Sequence, residues 1–187
     1  MNSFHRWFCR TGFWKKTLAN EIIPWALKGV ELGDDVLEVG PGPGMATDIL
    51  RERLTRLTSI EIDSRLAGAL RERLRDTNVE VVEGDATSMP FASGSFSGAV
   101  SFTMLHHVPS AALQDRLLAE AYRVLKPGGV FAGSDSRWSM GFHLIHLWDT
   151  MAPVEPESFA ARLKAAGFTD VLVKVANRAF RFCARHP

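Results

Sequence analysis

With 187 residues, 46% of them apolar and 23% charged, the chain has the size and composition of one soluble globular domain. A formal net charge of +1 argues against a dedicated nucleic-acid surface, which needs a strongly basic face. Cys9 and Cys183 are too few for a disulfide framework or a cysteine metal site, and no apolar run approaches the roughly 18 residues of a membrane span.

The N-terminal stretch is interrupted by Arg6, Arg10, Lys15 and Lys16, so it lacks the apolar core of a signal peptide; a reduced, cytoplasmic protein is expected. Residues 1–33 carry Trp7, Trp14 and Trp25 with Phe4, Phe8 and Phe13 between them. Leu18, Ile22, Trp25 and Ala26 recur at helical spacing and predict a helix over about Phe13–Leu27. These aromatics read either as packing on the sheet edge or as a cover over a site.

The stretch Val36-Leu37-Glu38-Val39-Gly40-Pro41-Gly42-Pro43-Gly44 organises the rest. A β-prone apolar run enters three glycines spaced two apart, and a helical pattern follows from Met45 through Ile49, Leu50 and Leu54. A buried strand that ends in a glycine turn and opens a helix is the ligand-binding corner of a doubly wound α/β sheet. Pro41 and Pro43 stiffen the loop, and the helix N-terminus favours a carboxylate or phosphate above it.

A second strand, Leu57–Ile62, ends at Glu61 and Asp63; Ser64 is expected to cap a helix whose face is Leu66, Leu70 and Leu74. A third strand, Val79–Val82, leads to Glu83-Gly84-Asp85-Ala86, then to a breaker-rich loop. A fourth, Ala99–Phe102, runs into Thr103-Met104-Leu105-His106-His107. Ser110 caps a long helix that Lys126-Pro127-Gly128-Gly129 stops before a fifth strand, Val130–Gly133. Residues 137–156 interrupt the alternation as an insertion or lid, a short helix covers Glu157–Ala166, and 171–175 with 180–182 form an antiparallel hairpin.

Strands alternating with helices of this length imply a single α/β domain with a mostly parallel, doubly wound sheet and helices on both faces. It divides into an N-terminal helical cover (1–33), a ligand-binding core (34–136), the insertion (137–156) and the C-terminal helix and hairpin (157–187).

Four features fall at the C-terminal ends of successive strands, the ligand-binding edge of such a sheet: the 40–44 loop, Glu61, Asp85 and the 101–107 segment. Glu61 lies about 20 residues past the first glycine, as expected of a carboxylate that grips ribose hydroxyls. Asp85 suits an exocyclic amine, so a nucleoside fits between them. Glu38 shares a strand face with Val36 and Gly40 and is expected to be buried, either bracing the loop amides or facing a cationic part of the ligand.

At these residues the chain resembles the class I S-adenosylmethionine-dependent methyltransferases, closest to the small enzymes called type 11. The matching pieces are VLEVGPGPG (36–44), SIEID (59–63), VVEGDA (81–86), FSGAVSFTMLHHV (96–108) and AYRVLKPGGVF (121–131). The resemblance spans roughly residues 34 to 175 and implies a Rossmann-like sheet of seven strands, one of them antiparallel. It implies that Gly40, Pro41, Gly42 and Gly44 line the methionine part of the cofactor S-adenosyl-L-methionine. Glu61, with Ile62 beside it, would hold the ribose, Asp85 the adenine amine, and Ala86 the adenine edge. Ser101, Phe102 and Thr103 would border the methionine tail, with Glu38 near the amino group and sulfonium. One departure stands out: Phe96 is followed by Ser97-Gly98 where the family usually has an acidic residue, which weakens a contact bracing the loop. No Asn-Pro-Pro-Tyr type segment is present, so amino methylation of a nucleic-acid base is disfavoured.

In this chemistry the sulfonium is already a good leaving group, so positioning carries most of the effect and a base helps only if the acceptor must lose a proton. His106 and His107 are the candidate bases, or else they pack against the loop and cap the next helix. His143, His146 and Asp149 share one helical face, but that spacing arises readily by chance and no metal is expected. A nicotinamide oxidoreductase is the rival class, although Met45 stands where its third glycine pattern fails; a non-catalytic cofactor-binding protein is another. Trp14, His143, His146 and Trp148, in the two aromatic stretches outside the core pattern, are the candidate acceptor contacts, and a small, largely apolar acceptor is expected. No nucleic-acid partner is expected.

Overall fold

The protein is described here from a computed structural model covering residues 11–140 and 151–187. Val36 and Leu37 are both buried but belong to different apolar clusters, as do Ala99 and Val100. Successive strand residues point to opposite faces, so burial of both neighbours requires cover on both sides of the sheet. Helices supply it on each face.

The strands are β1 (Asp35–Val39), β2 (Arg56–Glu61), β3 (Val79–Glu83), β4 (Phe96–Phe102), β5 (Leu125–Ser136), β6 (Thr169–Val175) and β7 (Ala179–Arg185). They form one sheet in the order β3-β2-β1-β4-β5-β7-β6. Only β7 runs against its neighbours, so the sheet is mostly parallel with one antiparallel strand, as the sequence implied. The chain steps outward from β1 to β3 and then returns to place β4 on the other side of β1. That reversal opens a crevice between the C-terminal ends of β1 and β4.

On one face, α5 (Ala111–Val124) and α6 (Pro156–Ala165) pack with Leu37, Ala99 and Phe131. Phe159 meets Phe180 and Phe182 there at centroid separations of 5.4 and 5.2 Å, near-perpendicular contacts that favour aromatic edges against faces. On the other face, α1 (Gly12–Thr17), a wider π-helical segment (Leu18–Ile22), α2 (Ile23–Ala26) and α3 (Met45–Leu50) cover Val36, Leu57, Val100 and Phe102. Against β2 and β3 lies α4 (Ser64–Arg73), whose Ala67 and Leu70 pack on Val81.

The structure departs from the sequence reading in four places, each for a local reason. The N-terminal helix is broken by the π segment because Pro24 has no N–H for the carbonyl one turn back; Ile23 N–H reaches instead to the Leu18 carbonyl. The helix after the glycine loop stops at Leu50 rather than Leu54, where Asn78 Nδ2 takes the carbonyls of Arg51 and Leu54 at 3.0 and 2.7 Å. Asp63, not Ser64, caps α4: its Oδ1 accepts from the Arg65 and Leu66 amides, and a carboxylate suits the positive end of a helix. The Lys126–Gly129 stretch lies inside β5, where Phe96 pairs with Leu125 and Gly98 with Val130, so six residues of β5 oppose three of β4 in an irregular bulge. Ser110 does cap α5, its Oγ accepting from the Leu113 amide at 3.2 Å.

Candidate functional site

A cavity of about 1030 Å³ opens at the C-terminal ends of β1, β2, β3 and β4, over the switch point of the sheet. Its walls include Gly40, Pro41 and Gly42, the carboxylates of Glu38, Glu61 and Asp85, and the 102–109 segment. From the N-terminal cover Trp14 and Leu18 reach it, and from the far side Ser136, Arg137, Met140 and Arg178.

The loop at its floor has a shape only glycine tolerates. Gly40 sits at φ +70°, and a Cβ there would fall inside the Met104 side chain. Gly44, at φ +86°, caps α3 in the left-handed region, where its N–H closes a turn onto the Pro41 carbonyl at 2.9 Å. Arg73 on α4 secures that end, bonding Asp48 at 2.6 Å and the Pro43 carbonyl at 3.3 Å.

Glu61 is nearly buried at the end of β2. Its Oε2 accepts from the Gly42 N–H at 2.9 Å and its Oε1 from the Asp63 N–H at 3.0 Å. Each oxygen retains a further lone pair, enough to accept from a diol as well. Glu38 lies one strand over, where the register sets it opposite Ser59. Its Oε2 accepts from Ser59 Oγ and from Thr47 Oγ1, both at 2.7 Å. Burial pushes its carboxyl up to about 7, while those two hydroxyl bonds act the other way. The expected brace on the loop amides is therefore supplied by Glu61; Glu38 is tied to hydroxyls instead. Ser97 likewise braces a different place: its Oγ accepts from the Asp35 N–H and donates to the Asp35 carbonyl, locking the start of β1.

Asp85 is exposed at the end of β3, its Oδ1 accepting from the Thr87 N–H at 2.8 Å, and Ala86 lies beside it in the wall. Ile62 is 69% exposed and borders the same space. A large apolar side chain left open beside two carboxylates offers a flat face to a heteroaromatic ring. At the end of β4, Thr103 holds φ +50°, a strained value for a β-branched residue, fixed by its N–H on the Ser134 carbonyl at 2.8 Å.

Beyond Thr103 the chain makes a short 3₁₀ turn, Leu105–His107. His106 is buried, its Nδ1 lying 2.5 Å from Asp135 Oδ1 and its backbone N–H donating to Asp135 Oδ2 at 2.9 Å. His107 is half-buried, with its ring centroid 4.2 Å from that of His106. Both line the cavity. Gln114, buried on α5, pins this turn by donating to the carbonyls of Leu105, Val108 and Ala152, and Arg162 holds its Oε1 at 3.0 Å.

Of the expected site residues, Glu38, Gly40, Pro41, Gly42, Glu61, Ile62, Asp85, Ala86, Phe102, Thr103, His106, His107 and Trp14 are brought to this one cavity. Gly44 stands behind it as the helix cap, and Ser101 is buried within β4, its Oγ without a hydrogen-bond partner among the described residues. Trp7, Phe8, His143, His146, Trp148 and Asp149 lie outside the described residues. Sequence reasoning missed Asp135, Gln114 and Arg73, because each acts across the fold on a residue far away in the chain. For Asp135 a signal existed: a carboxylate two residues past the apolar Val130–Gly133 run that the sequence marks as a strand.

Comparison with known proteins places this geometry. Residues 37–133, just over half of the chain, match the family model of the methyltransferase domain of type 11. The erythromycin 3''-O-methyltransferase of Saccharopolyspora erythraea is 29% identical over 200 aligned positions, covering 89% of this chain and 63% of that protein. The ribosomal RNA small subunit methyltransferase A of Bordetella pertussis is 31% identical over 147 positions, covering 67% of this chain and 52% of that one. The chain thus spans less than two thirds of the length of these curated relatives. The Haemonchus contortus phosphoethanolamine N-methyltransferase 2, solved with phosphomonomethylethanolamine and S-adenosylhomocysteine, shares the fold with a TM-score of 0.75 at 16% identity, over 100% of this chain and 61% of that one. The glycine floor, the paired carboxylates and the open Ile62 face fit a sulfur nucleoside. The chain belongs to the class I S-adenosylmethionine-dependent methyltransferases of type 11, the family whose methyl donor is the cofactor S-adenosyl-L-methionine.

Proposed function

We propose that this protein transfers a methyl group to a small, largely apolar acceptor held at the β4–β5 end of the cavity. The observation that carries the reading is the division of that single space. Glu38, Glu61 and Asp85 crowd its β1–β3 end, while Trp14, Met104, Val108, Leu113 and Met140 form much of the rest. Apolar walls with a few placed polar groups suit a small molecule. A polynucleotide acceptor would instead want a basic groove, and the net charge is +1. The similarity to an erythromycin O-methyltransferase over 89% of this chain supports the same direction.

In this reading Glu61 accepts from the ribose hydroxyls, Asp85 from the adenine amine, and Ile62 packs on the ring. Gly40 to Gly42 leave backbone open to the methionine part. The bound cofactor supplies an electrophilic methyl group on a sulfonium. The protein's task is then to align the acceptor and exclude water, an orientation effect that can amount to about 7–11 kcal/mol. His106 and His107 are the polar groups beside the acceptor nucleophile.

Calorimetry with S-adenosylmethionine, S-adenosylhomocysteine and NAD, followed by a labelled-methyl screen of small acceptors, tests this. Binding of both sulfur nucleosides and transfer to apolar small molecules is the expected result. Tight NAD binding with neither nucleoside bound would sink it, and transfer only to RNA would move the acceptor to another class.

A further inference from the structure

We infer that the acceptor is an apolar molecule carrying one oxyanion, a carboxylate or a phosphate monoester, and that Arg137 and Arg178 grip this group at the β5–β7 end of the cavity. The inference rests on the functional reading above and adds to it the charge of the acceptor and the place where it is anchored.

Ser136 pairs with Ala179 across β5 and β7. The next pair outward is Arg137 with Arg178, joined by the Arg137 N–H on the Arg178 carbonyl at 3.0 Å. Residues directly opposite in an antiparallel ladder project to the same face with Cβ atoms about 4.5–5.5 Å apart, and like charges so placed repel. Both arginines line the cavity. Among the described residues neither guanidinium forms an ion pair. Asp135, two residues back on the same strand, is engaged by His106 and by the Ser136 N–H. Arg137 Nη1 donates to the Ala176 carbonyl at 3.3 Å. Arg178 is exposed, and its guanidinium makes no hydrogen bond among the described residues. Each fork carries five N–H donors, so most of them remain open to a ligand.

The pair is thus a repulsion that no carboxylate of the described structure offsets, set in the wall of a substrate cavity. An oxyanion held by both forks would offset it, and the planar guanidinium matches carboxylate and phosphate with two parallel bonds. The strand order keeps this end apart from the acidic one. Glu61 ends β2, three strands from β5, or about 14 Å at roughly 4.8 Å per strand. In the reading above the methionine part of the cofactor lies on the glycine loop after β1. That loop is two strands from Arg137 and three from Arg178, so the cofactor's own carboxylate belongs to a different place. Val108, Leu113 and Met140, in the same cavity, suit the apolar body of the acceptor. An anchor remote from the reacting atom fixes how the molecule lies, and orientation is what this chemistry asks of the protein.

Calorimetry on the S-adenosylhomocysteine complex tests this with four probes of one shape: 2-naphthoate, 2-naphthyl phosphate, 2-naphthamide and 2-naphthylmethylamine. At least one anion should bind about 10-fold or more tighter than the amide, and the cationic amine weakest of all. Tighter binding of the naphthoate assigns a carboxylic acid, and of the naphthyl phosphate a phosphate monoester. The preference should shrink as salt rises, because Arg178 is exposed. Arg178→Gln changes an exposed side chain and leaves the fold intact. It and Arg137→Gln should each weaken the anion about 10-fold while amide and S-adenosylhomocysteine affinities stay within about twofold. Anions bound no tighter than the amide, no probe bound at all, or a preference that survives both substitutions would each overturn the inference. A parallel loss of S-adenosylhomocysteine affinity in the two variants would also overturn it, by giving the arginines to the cofactor's carboxylate. A wild-type protein that fails to bind S-adenosylhomocysteine would instead overturn the functional reading beneath.

Discussion

Glu61 and Gly42, 19 residues apart in the chain, are joined by a 2.9 Å hydrogen bond from the glycine N–H to the carboxylate. The residue read as a ligand contact is therefore also the strut that sets the loop's shape before any ligand arrives. Preorganisation of this kind reduces the ordering cost of binding. In Glu61→Gln an NH₂ group must face either the Gly42 or the Asp63 N–H, so one strut bond is lost along with the negative charge. Hydrogen bonds to a charged group contribute about 1.5–3 kcal/mol, so we expect S-adenosylmethionine affinity to fall roughly 10- to 100-fold. Calorimetry on the folded variant, with hydrogen exchange at the Gly42 amide, checks it. An unchanged dissociation constant would move the ribose contact elsewhere.

The glycines of the loop should not respond alike to alanine. At Gly40 the added methyl meets Met104 and the backbone is left-handed; at Gly42 the φ is +54° but nothing lies within 4 Å. Gly42→Ala should cost only the backbone strain, about 1–2 kcal/mol. Gly40→Ala adds an overlap of about 1–3 kcal/mol and intrudes on the cavity. We expect Gly40→Ala to lose most nucleoside binding and Met104→Ala in the same chain to restore part of it. Equal melting temperatures and affinities for the two single variants would contradict this.

Glu38 makes stability depend on pH. Its folded-state carboxyl is held up at about 7, above the unfolded value of 4.5, chiefly by burial. Below pH 4.5 both states are protonated and the group has no effect. As pH rises from 4.5 through 7 the unfolded chain ionises it while the folded protein keeps it protonated, so stability is lost across that window and levels off above it. Linkage puts the loss at about 3 kcal/mol by pH 8. Glu38→Gln, which keeps an acceptor for Thr47 and Ser59, should gain on the wild type between pH 5 and pH 8 in urea titrations. A gap that does not grow with pH would show that the carboxyl is not strained by burial. Because a cation favours the ionised form, S-adenosylmethionine near it should release protons on binding around pH 6–7, measurable as a buffer-dependent binding enthalpy.

Trp14 is half-buried on the N-terminal cover, packs against the cluster that includes Val36 and Ala46, and lines the cavity. Trp14→Ala should lower acceptor turnover while leaving cofactor affinity within about twofold, since a hydrophobic pocket contact is worth roughly 10- to 200-fold in discrimination. A variant that loses thermal stability but retains turnover per folded molecule would make Trp14 a packing residue.

The sequence alone determined the alternation of strands and helices, the doubly wound parallel sheet, and the edge at which ligands bind. Those features follow from local rules: period-two burial, glycine where a Cβ cannot fit, and caps within a few residues of helix starts. It also placed Glu61, Asp85 and the histidines at strand ends, because a parallel sheet delivers every C-terminal end to one edge. The tertiary structure decided what those side chains do there. Glu38 turned to Thr47 and Ser59 because the β1–β2 register sets it opposite Ser59. The glycine loop is braced by Glu61 and by Arg73 from the next helix, and His106 is bonded to an aspartate 29 residues further along the chain. Hydrogen bonds of that reach depend on the angle at which elements cross and on which neighbours exclude water. Neither is encoded in any window of the chain short enough to read by its periodicity.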